Sequence, residues 1–143
     1  MSILVIDASV AAKWFLPAAE EPLTEEAFAL LDRFSTGQVG FMVPDLFWPE
    51  FGNVLWKAVR QGRTSRGSAE NAISALVERN FPTIASSTVI AEAFAIATAF
   101  DRTVYDSLYV AVALMSNAQF VTADERLANA LAAHLPVKWL GAL

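Results

Sequence analysis

Ile3-Leu4-Val5-Ile6 is a short apolar run with no alternation, rich in β-branched residues, and it stops at Asp7. A strand that is apolar at every position is covered on both faces, as in the middle of a parallel sheet. Leu23, Ala27, Leu30, Leu31 and Phe34 then fall on one helical stripe, with Gly37 as a stop signal. Gly40 to Val43 predicts a second strand, closed by Pro44-Asp45. Phe51, Val54, Leu55, Ala58 and Val59 recur at i, i+3, i+4, i+7 and i+8, a helix that Gly62 ends. A further helix begins near Ser68 and turns Ile73, Leu76 and Val77 inward. Another runs from about Val89 to Phe100. Asp106 opens a helix whose run from Leu108 to Met115 has no polar face, so it is expected to be buried. Ala118 to Thr122 reads as a strand, Asp124 to Ala133 as a helix, and Pro136 to Leu140 as a last strand.

Strands alternating with helices predict an α/β fold, a three-layer sandwich with helices on both faces of a central parallel sheet. No repeat, linker or low-complexity tract interrupts the pattern, so residues 1–143 are expected to form a single domain. No run reaches the roughly 18 apolar residues of a membrane helix. No targeting segment is visible either, which makes the cytoplasm the expected location.

Composition narrows the chemistry. The chain has 55% hydrophobic residues, one His (His134) and no Cys. Thiolate metal sites, cysteine nucleophiles and mechanisms that need two imidazoles are therefore excluded. His134 reads as a late-helix residue without chemistry. With 15 acidic against 10 basic side chains, the formal charge is −5. That argues against a protein that coats nucleic acid by general attraction.

In parallel α/β sheets, ligands sit outside the carboxyl ends of the strands. Four acids stand at such places. Asp7 ends the first strand, where a helix N-cap and a site acid are both possible roles. Glu50 lies in the first turn of its helix, off the core stripe, sharing a face with Asn53 and Lys57. Asp106 sits at the mouth of the buried helix, where a carboxylate is costly unless compensated. Asp124 follows Thr122, and Thr122-x-x-Glu125 matches a capping box that would make Thr122 the cap and leave Asp124 free. Carboxylates converging in one crevice raise each other's pKa values, and a hard divalent cation such as Mg²⁺ or Mn²⁺ relieves that conflict. Attack of water on a phosphodiester is the matching chemistry, and it needs neither His nor Cys.

Ile6-Asp7-Ala8-Ser9-Val10, Pro49-Glu50-Phe51-Gly52-Asn53, Thr103-Val104-Tyr105-Asp106-Ser107 and Val121-Thr122-Ala123-Asp124-Glu125 together resemble, in order and spacing, the motifs of PIN-domain proteins, particularly VapC-like toxins. The resemblance spans nearly the whole chain. Phe51 departs from it, where an aliphatic residue is more familiar. The resemblance implies a metal-dependent ribonuclease leaving a 5′-phosphate and a 3′-hydroxyl. It also implies a small cognate antitoxin protein as partner, and a homodimer. It places Asp7, Glu50, Asp106 and Asp124 at the acidic positions that bind Mg²⁺ or Mn²⁺, and Ser9, Asn53 and Thr122 at polar positions that support them. Other readings are a nuclease of RNA processing or DNA cleavage, and a silent domain used for protein binding, which would lack one of the acids. An aspartyl phosphatase would want Asp where Ser9 stands.

For the RNA, four bases (Lys57, Arg60, Arg63 and Arg66) and no acid lie between Phe51 and Ala69, so this stretch is +4 and the remainder −9. Lys57, Arg60, Arg63 and Lys13 are the candidate substrate contacts, with Arg126 a further one. Phe47 is expected in the core. Some of Trp14, Phe15, Trp48 and Trp56 are expected at a dimer or antitoxin surface. Glu20, Glu21, Glu25 and Glu26 read as a solvated first helical turn.

Overall fold

A computed structural model describes all residues from Met1 to Leu143. The apolar opening run becomes β1 (Ser2–Ile6), the middle strand of the sheet. Asp7 stops it and caps the short helix α1 (Ala8–Ala11), which tightens into a 3₁₀ turn over Ala12–Trp14. Then come α2 (Thr24–Ser35), β2 (Val39–Pro44), α3 (Phe47–Arg60) and α4 (Arg66–Val77). The second half contributes β3 (Thr83–Ile84), α5 (Ser86–Phe100), α6 (Val104–Met115), β4 (Gln119–Thr122), α7 (Glu125–Leu131) and β5 (Val137–Trp139).

All five strands are parallel, in the order β3-β2-β1-β4-β5. Leu4 is in register with Phe41 of β2 on one side and Gln119 of β4 on the other. The chain fills the sheet on one side of β1, then crosses to the other. The crevice where connections diverge therefore lies at the end of β1, beside β4. Asp7 stands there. The helix α6 lies across β1, β2 and β4; Ser107 to Ala113 are all buried, whereas Leu114 and Met115, at the end of the run expected to be buried, are exposed where the helix passes beyond the sheet.

Four local expectations change. The strand β3 was not foreseen, because two residues after Pro82 are too short to show a period. They are held as an edge by Val43 N–H to Pro82 C=O and Asp45 N–H to Ile84 C=O. In α4 the inward face is Ala69, Ala72 and Leu76, whereas Ile73 and Val77 are exposed; two small residues let the helix lie close, and the larger side chains turn out. The buried helix α6 starts two residues before Asp106, with Thr103 as its cap: the Thr103 hydroxyl accepts from Asp106 N–H at 3.1 Å. At α7 the cap is Asp124 rather than Thr122, since Asp124 accepts from Leu127 N–H at 3.1 Å.

The aromatic residues are mostly interior. Trp14 is core, its indole N–H donating to Ala27 C=O at 2.8 Å. Phe47 is core as expected, and the unusual Phe51 stacks on Phe47 and meets the edge of Phe15. Trp48 is half-buried and donates to the Thr83 hydroxyl, so of these aromatics Trp56 is the exposed one.

Two candidate substrate cations are engaged elsewhere. Lys13 is buried, and its ammonium donates to Glu21 Oε1 at 3.2 Å. Arg63 reaches Glu21 Oε2 at 2.6 Å and Glu20 Oε2 at 3.2 Å. Glu20 and Glu21 thus precede α2 and bind cations; they are not a solvated helical turn. The reason is geometric: the segment before α2 passes the end of α3, and Glu21 bridges Lys13 to Arg63.

Removing one partner of a buried pair leaves an uncompensated charge, which costs more than the pair itself contributes. Glu21→Gln is expected to lower unfolding stability by about 2–4 kcal/mol in urea titrations, with Lys13→Met costing clearly less. Equal losses would contradict a buried charge as the cause.

Candidate active site

Asp7 is held from three directions. The Ser9 hydroxyl donates to Oδ1 at 2.5 Å, Val10 N–H donates to the same oxygen at 3.3 Å, and the Thr122 hydroxyl donates to Oδ2 at 2.6 Å. Ser9 and Thr122 also bind the next strand end: Ser9 accepts from Ala123 N–H and Thr122 from Asp124 N–H. The β1 and β4 ends are therefore joined through one carboxylate. Burial raises the Asp7 pKa to about 6, with a smaller contribution from the Glu50 charge; the hydroxyl and amide donors pull the other way without prevailing.

Glu50 lies on the first turn of α3. Its Oε1 accepts from the Tyr109 hydroxyl at 2.5 Å. Burial also raises its pKa, as does the charge of Asp106. Asp106, half-buried in the first turn of α6, is shifted upward by burial first and then by the Asp124 charge. Burial drives the Tyr109 hydroxyl well above its ordinary value, and the charges of Glu50, Asp7 and Asp106 add to this, so it serves as a donor.

Asp7, Glu50 and Asp106 line one open pocket of about 430 Å³, together with Ser9, Asn53, Lys57 and Tyr109. Asp124 is not on its wall. One of its oxygens caps α7, and the residue is exposed at the rim, close enough to Asp106 for its charge to be felt there. Asn53 and Lys57 are on the wall, while Lys13 and Arg63 are spent on Glu20 and Glu21. Arg60 is outside the pocket, over the Trp56 ring at 4.9 Å. His134 is exposed beyond α7, its ring against Phe100.

Tyr109 escaped the sequence reading because its place in an apolar helix marks it as core. The available signal was a hydroxyl within an apolar run, which must find a partner when the ring is buried.

No three of the acidic and imidazole groups are close enough to ligate one ion together. The pocket therefore offers oxygen donors, excess negative charge and room for water, rather than a cage. That donor set fits a hard cation of the Mg²⁺ type, which keeps several waters and takes one or two carboxylates directly.

Asp7 binds its proton more tightly in the folded chain than in the unfolded one. Its contribution to stability is thus complete below about pH 4 and is lost as pH rises toward 6. In EDTA, wild-type stability should fall through that window. Asp7→Asn should flatten the fall and, at pH 7.5, raise the melting temperature by several degrees, corresponding to about 1–3 kcal/mol. A melting profile of unchanged pH slope would show that Asp7 is not the desolvated acid.

Residues 4–131 match the family profile described as PIN domain. Over 128 residues the chain is 31% identical to Ribonuclease VapC3 of Pyrobaculum aerophilum, covering 88% of this chain and 92% of that protein. Among solved structures it resembles PAE2754 from Pyrobaculum aerophilum with a TM-score of 0.68 and 21% identity, covering 98% of this chain and 85% of that one. It also resembles a toxin–antitoxin complex from Klebsiella pneumoniae with a TM-score of 0.61 and 18% identity, covering 94% of this chain and 95% of that one. An acid pocket at the carboxyl end of a parallel sheet, and a family match over most of the chain, make this protein a member of the PIN-domain family.

Proposed function

We propose that this protein is a divalent-metal-dependent endoribonuclease of the VapC type, acting in the cytoplasm as the toxin of a toxin–antitoxin pair. The observation that carries the reading is the meeting of Asp7, Glu50 and Asp106, from three separate elements, on one pocket that also holds Lys57. The similarity to a ribonuclease over most of both chains supports it.

Asp7, Glu50 and Asp106 would hold Mg²⁺ or Mn²⁺, largely through water, with Asp124 adding charge from the rim. A bound cation of this kind supplies Lewis acidity, lowering the pKa of a water and offsetting charge on the phosphate. The protein's own residues prepare the ground. Ser9, Val10 and Thr122 fix both oxygens of Asp7, so the carboxylate needs no reorientation when the substrate arrives. Tyr109 fixes Glu50 in the same way. The Lys57 ammonium on the pocket wall can meet a phosphate oxygen, and Asn53 offers a neutral donor and acceptor beside it.

The partner reading rests on charge and apolar surface. An acid pocket suits a basic side chain from an antitoxin, which would displace cation and substrate together. Ile90 and Phe94, one turn apart on α5, are 46% and 61% exposed and give a second copy or an antitoxin an apolar footing. No helix is long and apolar enough to cross a membrane.

Purified protein should cleave single-stranded RNA with Mg²⁺ or Mn²⁺ and stop in EDTA. Asp7→Asn should lower the rate by roughly 10²- to 10⁴-fold, the equivalent of several kcal/mol of charge stabilisation. Mn²⁺ should also raise the melting temperature of the wild type and not that of an Asp7→Asn, Asp106→Asn double variant. Cleavage that survives both EDTA and Asp7→Asn would overturn the assignment.

A further inference from the structure

Beyond the catalytic pocket, α3 carries a second depression of about 360 Å³, lined by Trp56, Lys57, Arg60 and Gln61. Lys57 lines both, so the two depressions are neighbours along one helix. Glu50, Asn53 and Lys57, then Trp56 and Arg60, follow one another at helical spacing away from the acids. The second depression contains two cations and no acid, in contrast to the first.

Trp56 is 53% exposed. The Arg60 guanidinium lies 4.9 Å from its ring centroid, which holds the indole in place while half of its surface stays open. A large aromatic fixed in this way beside two cations that no carboxylate pairs combines the two elements of single-strand recognition: a face for any base, and positive charge for the backbone.

We infer that this face of α3 is the track for the single-stranded RNA flanking the cleaved bond, with Trp56 stacking on a base and Lys57 and Arg60 contacting phosphates. The inference rests on the ribonuclease reading above. Six to ten residues of helix separate Glu50 from Trp56 and Arg60, roughly 9–15 Å along the axis. The stacked base, at Trp56, is therefore at the near end of that span, about 9 Å from Glu50 and at most about three nucleotides from the reacting phosphate. A protein partner is the less favoured occupant, because one of the four lining residues is apolar and the others are polar or charged.

The test is binding of a fluorescein-labelled single-stranded RNA of about 12 nucleotides. It is followed by anisotropy in Mg²⁺, in an Asp7→Asn background that suppresses cleavage. Trp56→Ala should weaken binding by roughly 5- to 150-fold, and Trp56→Phe should restore most of it. Arg60→Gln should reduce the salt slope by about 0.7, one phosphate contact on a single strand. The same sequence as a duplex should be indifferent to Trp56→Ala, since its bases are already paired and stacked. With Asp7 native, kinetics of Trp56→Ala should show a raised KM and a nearly unchanged kcat.

Equal binding of single-stranded RNA by Trp56→Ala and its parent, with the wild type still cutting RNA, would overturn this inference and leave the ribonuclease reading intact. So would a loss shared equally by single strand and duplex, or unchanged RNA binding with loss of a co-purifying protein. A wild type that cuts no RNA with Mg²⁺ or Mn²⁺ would remove the ribonuclease reading, and this inference with it.

Discussion

The Asp7 carboxylate is the constraint on which the rest depends. One side chain at the end of the central strand caps α1 and ties that helix through Thr122 to the end of β4. Each of its two oxygens accepts from at least one donor, and the donors come from both ends of the chain, leaving Oδ2 with a single partner. The cost is an acid whose ionised form the fold disfavours. Glu50 and Asp106 share that condition, each desolvated and each within reach of another acid's charge. A protein that retained these acids only as helix caps would have no cause to place three of them on one pocket.

Much of this arrangement was legible in the residues. The unalternating run of β1, the helical stripe of α3 and the apolar run of α6 each report how an element is covered, and the alternation of strands with helices reports the parallel sheet between two helical layers. The ends of elements were harder. The sequence pattern puts Asp106 at the start of its helix and Thr122 at the cap of the next, yet Thr103 caps α6 and Asp124 caps α7. Side-chain choice at a helix start depends on backbone angles at single residues, which a pattern of apolar positions does not report. The exchange matters for the site. Thr122, freed from capping, supports Asp7; Asp124, bound to its own helix, is left at the rim.

The charges depart from the sequence pattern for a different reason. Lys13 and Arg63 count as cations in the sequence, but both face Glu21, at separations that only tertiary folding creates. Charge summed along a segment treats every ion as free. Once these two are paired internally, the positive face near the site contracts to Lys57 and Arg60. Tyr109 is the converse case: a residue that composition assigns to the core, and whose single hydroxyl fixes an acid of the pocket.

The sheet edges have a consequence of their own. A chain with this much apolar surface is at risk of adding strands from its neighbours in solution. Here the outermost strands are β3, of two residues, and β5, of three, the latter carrying Lys138 at its middle. A docking strand would find too few free amide and carbonyl groups on either side to form a ladder, and at β5 it would meet a charge. The long, sticky strands are confined to the interior, so growth of the sheet into a fibre is blocked at both ends.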